Sequence, residues 1–260
     1  MVRKLSVIIP TYNEEKNIRN CLESIKWADE IFVVDSFSND KTLEIALEYT
    51  ERVIQHEYVN SATQKNWAIP QAKHEWVMIV DSDERVTQEL KEEILEILSS
   101  EDPLDGYYIP RVNTFLGKEL KYGGWGKKED YNLRLFKRDK GRYENKHVHA
   151  DIILEGKAGY IKAPFTHHSY PDLSKYIQKF NRYTDWAAED LFQKGKKIGL
   201  SHIFLRPIAT FFKMYFFKLG LLDGYHGLLL SILSSFYVYI KFAKAKQLQN
   251  SQIRSDKDES

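Results

Sequence analysis

What most limits the fold of this chain is an alternation repeated four times before residue 100. Each repeat is a short apolar run, a polar break and a segment with apolar residues at helical spacing. The apolar runs occupy residues 5–10, 30–35, 52–55 and 76–80. Bounded runs of β-branched and apolar residues read as buried strands. The segments between them read as helices. One spans about 14–26, with Ile18, Leu22 and Ile25 on one face and Cys21 among them. A second begins near Lys41. A third opens on the capping-box pattern Ser61-Ala62-Thr63-Gln64 and runs to about residue 71. The fourth is capped by Thr87, with Leu90, Ile94 and Ile97 facing inward. Strands alternating with helices imply right-handed crossovers and a mostly parallel, Rossmann-like α/β sheet. Such a sheet binds its ligands at the carboxyl ends of its strands.

Three polar clusters fall on that edge: Pro10-Thr11-Tyr12-Asn13-Glu14, Asp35-Ser36 and Asp81-Ser82-Asp83-Glu84. Asp81 and Asp83 are two residues apart, a spacing that puts both side chains on the same face of an extended chain. Carboxylates this close repel. A divalent cation bridging to a phosphate removes the conflict, and hard oxygen ligands suit Mg²⁺ or Mn²⁺. The competing reading is a solvated acidic turn ahead of a helix, where acids are favoured. Neither a Gly-x-Gly-x-x-Gly after the first strand nor a Gly-Lys-Ser/Thr loop is present, which argues against dinucleotide and P-loop sites.

Beyond residue 100 the pattern changes to short strands at 107–109 and 112–116, the loop Gly123-Gly124-Trp125-Gly126, a strand entered through Glu129-Asp130, and a hairpin expected around Glu155-Gly156. From Pro171 the chain reads as helical, with Leu173, Ile177, Phe180, Tyr183 and Ala187 on one face. Residues 202–245 are strongly apolar but carry Arg206, Lys213, Lys218, Asp223 and Lys241. The longest uncharged run there, 224–240, is shorter than the roughly 20 residues a spanning helix needs. An amphipathic pair lying on an anionic membrane surface is therefore expected, with a buried helical hairpin as the alternative. Thirty-eight basic residues against 37 acidic ones give no nucleic-acid signature. The single Cys21 excludes an intrachain disulfide. The stretch before Pro10 is too short for a signal peptide, so a cytoplasmic location is expected.

The motifs at residues 6–14, Val33-Val34-Asp35-Ser36 with Asp40 and Thr42, Lys65-Asn66-Trp67-Ala68, Asp81-Ser82-Asp83-Glu84 and Glu129-Asp130 resemble those of family 2 inverting glycosyltransferases of the GT-A fold. A narrower similarity is to WaaE-type lipopolysaccharide core glucosyltransferases. It rests on Gly123-Gly124-Trp125, residues 130–136, Val148-His149, residues 167–170, Asn181-Arg182-Tyr183, and Gly220, Asp223, Gly224 and Gly227. The acid that follows the Val-His pair in that family is replaced here by Ala150, with Asp151 one step on. The resemblance implies a GT-A domain over residues 1–165. Its nucleotide-sugar half would be 1–100 and its acceptor half 101–165. A membrane-associated helical region would follow over 166–248, and a disordered tail over 249–260. It also implies a UDP-sugar donor, a divalent cation and a hydroxyl acceptor on a lipid-linked or envelope glycan. Asp35 would accept from the uracil N–H, with Pro10, Tyr12, Asn13 and Glu14 flanking base and ribose. Lys65 and Arg182 would approach the diphosphate. Asp83, Asp81 and His167 would hold the metal, Asp83 foremost. Asp130 would be the general base, with Glu129 as its neighbour and competitor. His147, His149 and His168 are expected to be structural or surface residues. The rivals at this point are a polyprenyl-phosphate sugar synthase, a non-catalytic sugar-nucleotide-binding protein and, although its usual Gly-rich basic loop is missing after Pro10, a nucleotidyltransferase.

Overall fold

The computed structural model describes residues 2–127, 130–144 and 150–258, with side chains to residue 251. Glu129, His147 and His149 lie outside the described residues. The chain divides into two compact units, Met1–Asn113 with Lys127–Ser169, and Thr114–Gly126 with Tyr170–Ser260.

The first unit opens with the alternation read from the sequence: β1 (Leu5–Thr11), α1 (Ile18–Ser24), β2 (Glu30–Asp35), α2 (Thr42–Leu47), β3 (Val53–Gln55), α3 (Ser61–Ala68), β4 (Trp76–Ile79), β5 (Glu84–Val86) and α4 (Gln88–Ser99). After it come β6 (Gly106–Phe115), β7 (Lys118–Glu119), β8 (Tyr131–Lys137), β9 (Gly141–Tyr143), β10 (Ile152–Leu154), β11 (Ala158–Tyr160) and β12 (Phe165–Tyr170). The main sheet runs β3-β2-β1-β4-β8-β6-β12-β5. Its first four strands are parallel. Beyond β4 the partners are antiparallel: β4 with β8, β8 with β6, and β12 with β5.

Period-two alternation explains why the parallel part is buried on both faces. Val7, Ile9, Val33, Trp76 and Met78 pack on Ile18, Leu22, Leu90 and Ile94. The intervening Ile8, Phe32, Val34, Val77 and Ile79 pack on Ala68 and Ile69. Successive side chains of a strand point to opposite faces, so a run apolar throughout needs cover on both sides.

Local details depart from the sequence reading. Asn60, not Ser61, caps α3: its side-chain oxygen accepts the Thr63 N–H at 2.9 Å. Thr87 caps α4 as expected, accepting from the Leu90 N–H at 3.1 Å. The expected hairpin at Glu155-Gly156 does not form. β10 pairs antiparallel with β9, while β11 runs parallel to β6. The chain on either side of Gly156 thus goes to different partners.

In the second unit, β7 folds back on the end of β6, and three helices follow: α5 (Leu173–Gln193), α6 (Leu200–Phe212) and α7 (Tyr225–Asp258). α7 continues through 249–258, where the sequence suggests a polar tail. The inward face of α5 is Tyr176, Phe180, Thr184 and Ala187; Phe180 and Ala187 fall there as expected, while the expected Ile177 and Leu173 are 48% and 41% exposed. Aromatic packing sets this rotation: Tyr176 meets Phe115 and Tyr170, and Phe180 stacks on Phe236 with centroids 5.6 Å apart. Asp223 is buried, and its carboxylate accepts the backbone N–H groups of Lys121 and Tyr122. Residues 225–251 are long and apolar enough to cross a membrane by length and composition.

Candidate active site

The parallel register brings the polar clusters level. Thr11 lies beside Asp35 across β1 and β2, and the Ser36 N–H donates to Thr11 O at 2.9 Å. Val80 N–H donates to Ile8 O at 3.1 Å, carrying the β4 line past its last paired residue and delivering Asp81 to the same edge. The loops after β1 and β2 interlock. Asn13 holds a left-handed backbone (φ 53°), donates its N–H to Ser38 Oγ and accepts from the Asn39 N–H, both at 2.9 Å. Glu14 N–H donates to Thr42 Oγ1 at 2.7 Å. Phe37 is also left-handed (φ 59°) and exposed. Two non-glycine residues in this conformation on adjacent loops are a feature that clusters at binding sites. Asp35 is fully buried and accepts from Ser38 N–H (3.0 Å), Ser38 Oγ–H (2.5 Å) and Gln55 Nε2–H (3.1 Å). Pro10 is half-buried at this edge and Tyr12 is exposed.

Next to these loops lies a chain of alternating charges. Lys65 Nζ, on α3, is 2.8 Å from Asp81 Oδ1, and Arg134 Nη2, on β8, is 2.8 Å from Asp81 Oδ2. The same Arg134 nitrogen reaches Glu84 Oε1 at 3.0 Å. Arg111 Nη1 approaches that oxygen at 3.4 Å and turns Nε and Nη2 onto Asp130 at 3.0 and 2.8 Å. Burial pushes the Asp81 carboxyl up, but Arg134 and Lys65 outweigh it and hold it well below the usual carboxylate range. Burial pulls Lys65 and Arg134 down, and Asp81 more than restores both.

Asp130 is held the same way. Burial raises its carboxyl, while Arg111 and the amides of Asn113 (2.7 Å) and Asn132 (2.8 Å) bring it below its ordinary value. Asn113 also faces the other end of the site: its Oδ1 is 2.7 Å from His167 Nδ1. His167 Nε2 in turn lies 3.5 Å from Asp83 Oδ1, and Asp83 O accepts the His168 N–H at 2.9 Å. Burial, Arg85 and His167 lower the His168 pKa against the opposing pull of Asp83.

Asp81, Asp83, Lys65, Asp130 and His167 thus belong to one connected group. Asp81, expected among the metal ligands, has each of its oxygens on a cation, Lys65 and Arg134. Asp83 and His167 form a carboxylate–imidazole pair, a donor set that fits Mg²⁺ or Mn²⁺ when substrate phosphates complete the shell. Among the described residues there is no group of three or more such ligands, so a cation here relies on its substrate. Arg182 belongs to the helical unit, where it is exposed on α5 with its guanidinium over the Tyr183 and Trp186 rings, 5.6 and 5.2 Å from their centroids. Arg111, Asn113 and Arg134 were missed by sequence reasoning, and Glu84 was quoted without a role. The signal available was spacing: residues 111 and 113 on β6, and 130, 132 and 134 along β8, are polar at every second position in otherwise apolar strands. Such spacing puts them on one face.

The chain is 29% identical over 98% of its length to the "Lipopolysaccharide core biosynthesis glycosyltransferase LpsC" of Rhizobium meliloti, covering 96% of that protein. Among solved structures, the mannosyltransferase PcManGT from Pyrobaculum calidifontis, in complex with GDP-Man and Mn²⁺, superposes with a TM-score of 0.58. At 17% identity over 94% of this chain and 87% of that one, the likeness shows a shared fold. The chain spans 40% of the solved S. aureus TarS chain, with 72% of its own length matched at 21% identity and a TM-score of 0.44. Residues 6–156 match the model of the family "Glycosyl transferase family 2". That match covers more than half the chain, and this protein therefore belongs to glycosyl transferase family 2, as a glycosyltransferase of the GT-A fold.

Proposed function

We propose that this glycosyltransferase transfers a sugar, with inversion, from a UDP-sugar to a hydroxyl of a lipid-linked or envelope glycan of the lipopolysaccharide-core type. It would work on the cytoplasmic face of the inner membrane. The observation that carries the reading is the charge chain from Lys65 to Asp130. Among the described residues it links the carboxylates Asp81, Glu84 and Asp130 through Lys65, Arg134 and Arg111, and through Asn113 it reaches the Asp83–His167 pair. A divalent cation on the Asp83–His167 pair suits a diphosphate. The printed name of LpsC supports the acceptor class.

In this reading Asp35 receives the uracil N–H. Its carboxylate already accepts three hydrogen bonds, and a carboxylate offers about four lone-pair sites. Pro10, Tyr12, Asn13 and Glu14 flank base and ribose. Lys65 and Arg134 hold Asp81 and lend positive charge beside the diphosphate. Asp83 and His167 hold the divalent cation, which supplies Lewis-acid charge to the leaving group. Asp130 takes the acceptor hydroxyl proton. Its hydrogen bonds keep it ionised, and so able to accept, throughout the neutral range. The exposed apolar face of the helical unit, with its basic residues, rests on the anionic leaflet.

The test is release of UDP from a panel of UDP-sugars with Mg²⁺ and Mn²⁺ compared, using wild type, Asp83→Ala and Asp130→Asn. Both variants should lose turnover, and full activity in either removes that residue from its role. Transfer to undecaprenyl phosphate that persists in Asp130→Asn would instead favour a phosphate acceptor, which needs little help from a base.

A further inference from the structure

Asn113 joins the two halves of the site. It lies on β6 at 3% exposure, with Nδ2 2.7 Å from Asp130 Oδ2 and Oδ1 2.7 Å from His167 Nδ1. The orientation of its amide follows from chemistry. Asp130 is gripped on both oxygens by Arg111, so it is an ionised carboxylate and accepts only. The amide must therefore turn its NH₂ toward Asp130 and its oxygen toward His167. Two acceptors 2.7 Å apart repel, so the proton between Asn113 Oδ1 and His167 must sit on Nδ1. Ser169 Oγ, 3.1 Å from the same nitrogen, accepts a share of that N–H. In the neutral ring the lone pair is then on Nε2, the nitrogen that faces Asp83. Which ring nitrogen binds a metal is set by the hydrogen bond the other one makes.

We propose that Asn113 is a positioning residue whose amide, oriented by the Asp130 carboxylate, holds His167 as the Nδ1–H tautomer and so presents Nε2, beside Asp83, to a divalent cation. The proposal rests on the metal role given above to Asp83 and His167, and it adds a two-hydrogen-bond link between the general base and the metal ligand. Without Asn113 the ring is free to take the Nε2–H form favoured by imidazole in water, which has no lone pair to offer on that side.

The test reads the tautomer and the metal separately from turnover. In metal-free, ¹⁵N-histidine-labelled protein, with the His167 signals identified by their loss in His167→Gln, Nδ1 should show a pyrrole-type shift and Nε2 a pyridine-type shift. Asn113→Leu should lose this pattern. Circular dichroism and UDP affinity that match wild type in Asn113→Leu exclude a simple packing defect, and Ser169→Ala, which leaves the Asn113 acceptor in place, should keep the pattern. Mn²⁺ affinity, measured by electron paramagnetic resonance with UDP present, should fall roughly 10–100-fold in Asn113→Leu. An Nε2–H pattern in the wild type overturns the proposal. Mn²⁺ bound by wild type and equally by Asn113→Leu overturns the role of Asn113 alone. Wild type that binds no Mn²⁺ overturns the metal reading beneath it.

Discussion

The two units break the ordinary rule of polar outside and apolar inside in opposite directions. The first buries charge. Glu84 and Asp35 are fully buried, Arg134 and Lys65 are nearly so, and each finds a partner of opposite charge or a set of hydrogen-bond donors. The second exposes apolar surface. Leu205, Phe217 and Tyr225 are 64%, 83% and 66% exposed, on segments that also carry Arg206, Lys213 and Lys218. Buried charge and exposed large apolar residues are the informative exceptions in a folded chain. Desolvated ion pairs are costly to assemble and add little net stability, so a string of them marks a site where charge is needed. Apolar patches rimmed by cations mark a surface meant to be covered. On the function proposed above, the first unit handles an anion and the second an interface.

The largest effect that sharpens this contrast is on turnover. Asp130→Asn should lower kcat by about 10²–10⁴-fold, the range for a positioned general base, with circular dichroism unchanged. Next is stability of the first unit. Arg134→Leu leaves Asp81 with Lys65 alone and Glu84 with only the longer contact to Arg111, and should cost roughly 3–5 kcal/mol in urea unfolding. A wild-type midpoint would show that the chain of charges is not electrostatically closed. Third is pH. Asp81 and Asp130 have folded pKa values below their ordinary 3.8. Stability from these groups is therefore fully present above that value and lost as pH falls through the folded values. Urea midpoints should be level from neutral pH to about pH 5 and drop below about pH 4. A rise in stability on acidification would reverse the assignment. The smallest effect tests the other unit. Lys213→Glu with Lys218→Glu should weaken sedimentation with anionic vesicles, each lost cation removing roughly 1 kcal/mol. Thermal stability should stay the same, and vesicle binding that is indifferent to both changes would leave the apolar face without its proposed partner.

Much of the first unit was legible in the chain because its information is local. β1, β2 and β4 are apolar runs, and helical spacing around Leu22 and Ile94 marks what covers them. Strand order was not local. That β8 inserts between β4 and β6, and that β5 pairs with β12, depends on partners far apart in sequence. On α5 Phe180 and Ala187 were read correctly, but Tyr176 took the place expected for Ile177 because aromatic rings on Phe115, Tyr170 and Phe236 decide the rotation. Asp81 shows the same division. Its place at a strand end was readable, but both its cations come from elsewhere, Lys65 from α3 and Arg134 from β8.

By itself, then, the sequence determined the alternation of elements and the edge on which Asp35, Asp81 and Asp83 would fall, because hydrophobic period and turn chemistry act within a few residues. Only the tertiary structure decided which charges meet. Arg111, Asn113 and Arg134 reach the site by the pairing of β8 with β4 and β6, and long-range register is set by packing, not by local propensity. The acids at 81, 83, 84 and 130 and the cation Lys65 could be named from the chain, but Arg111, Arg134 and the amide of Asn113 could be found only once the sheet had closed around them.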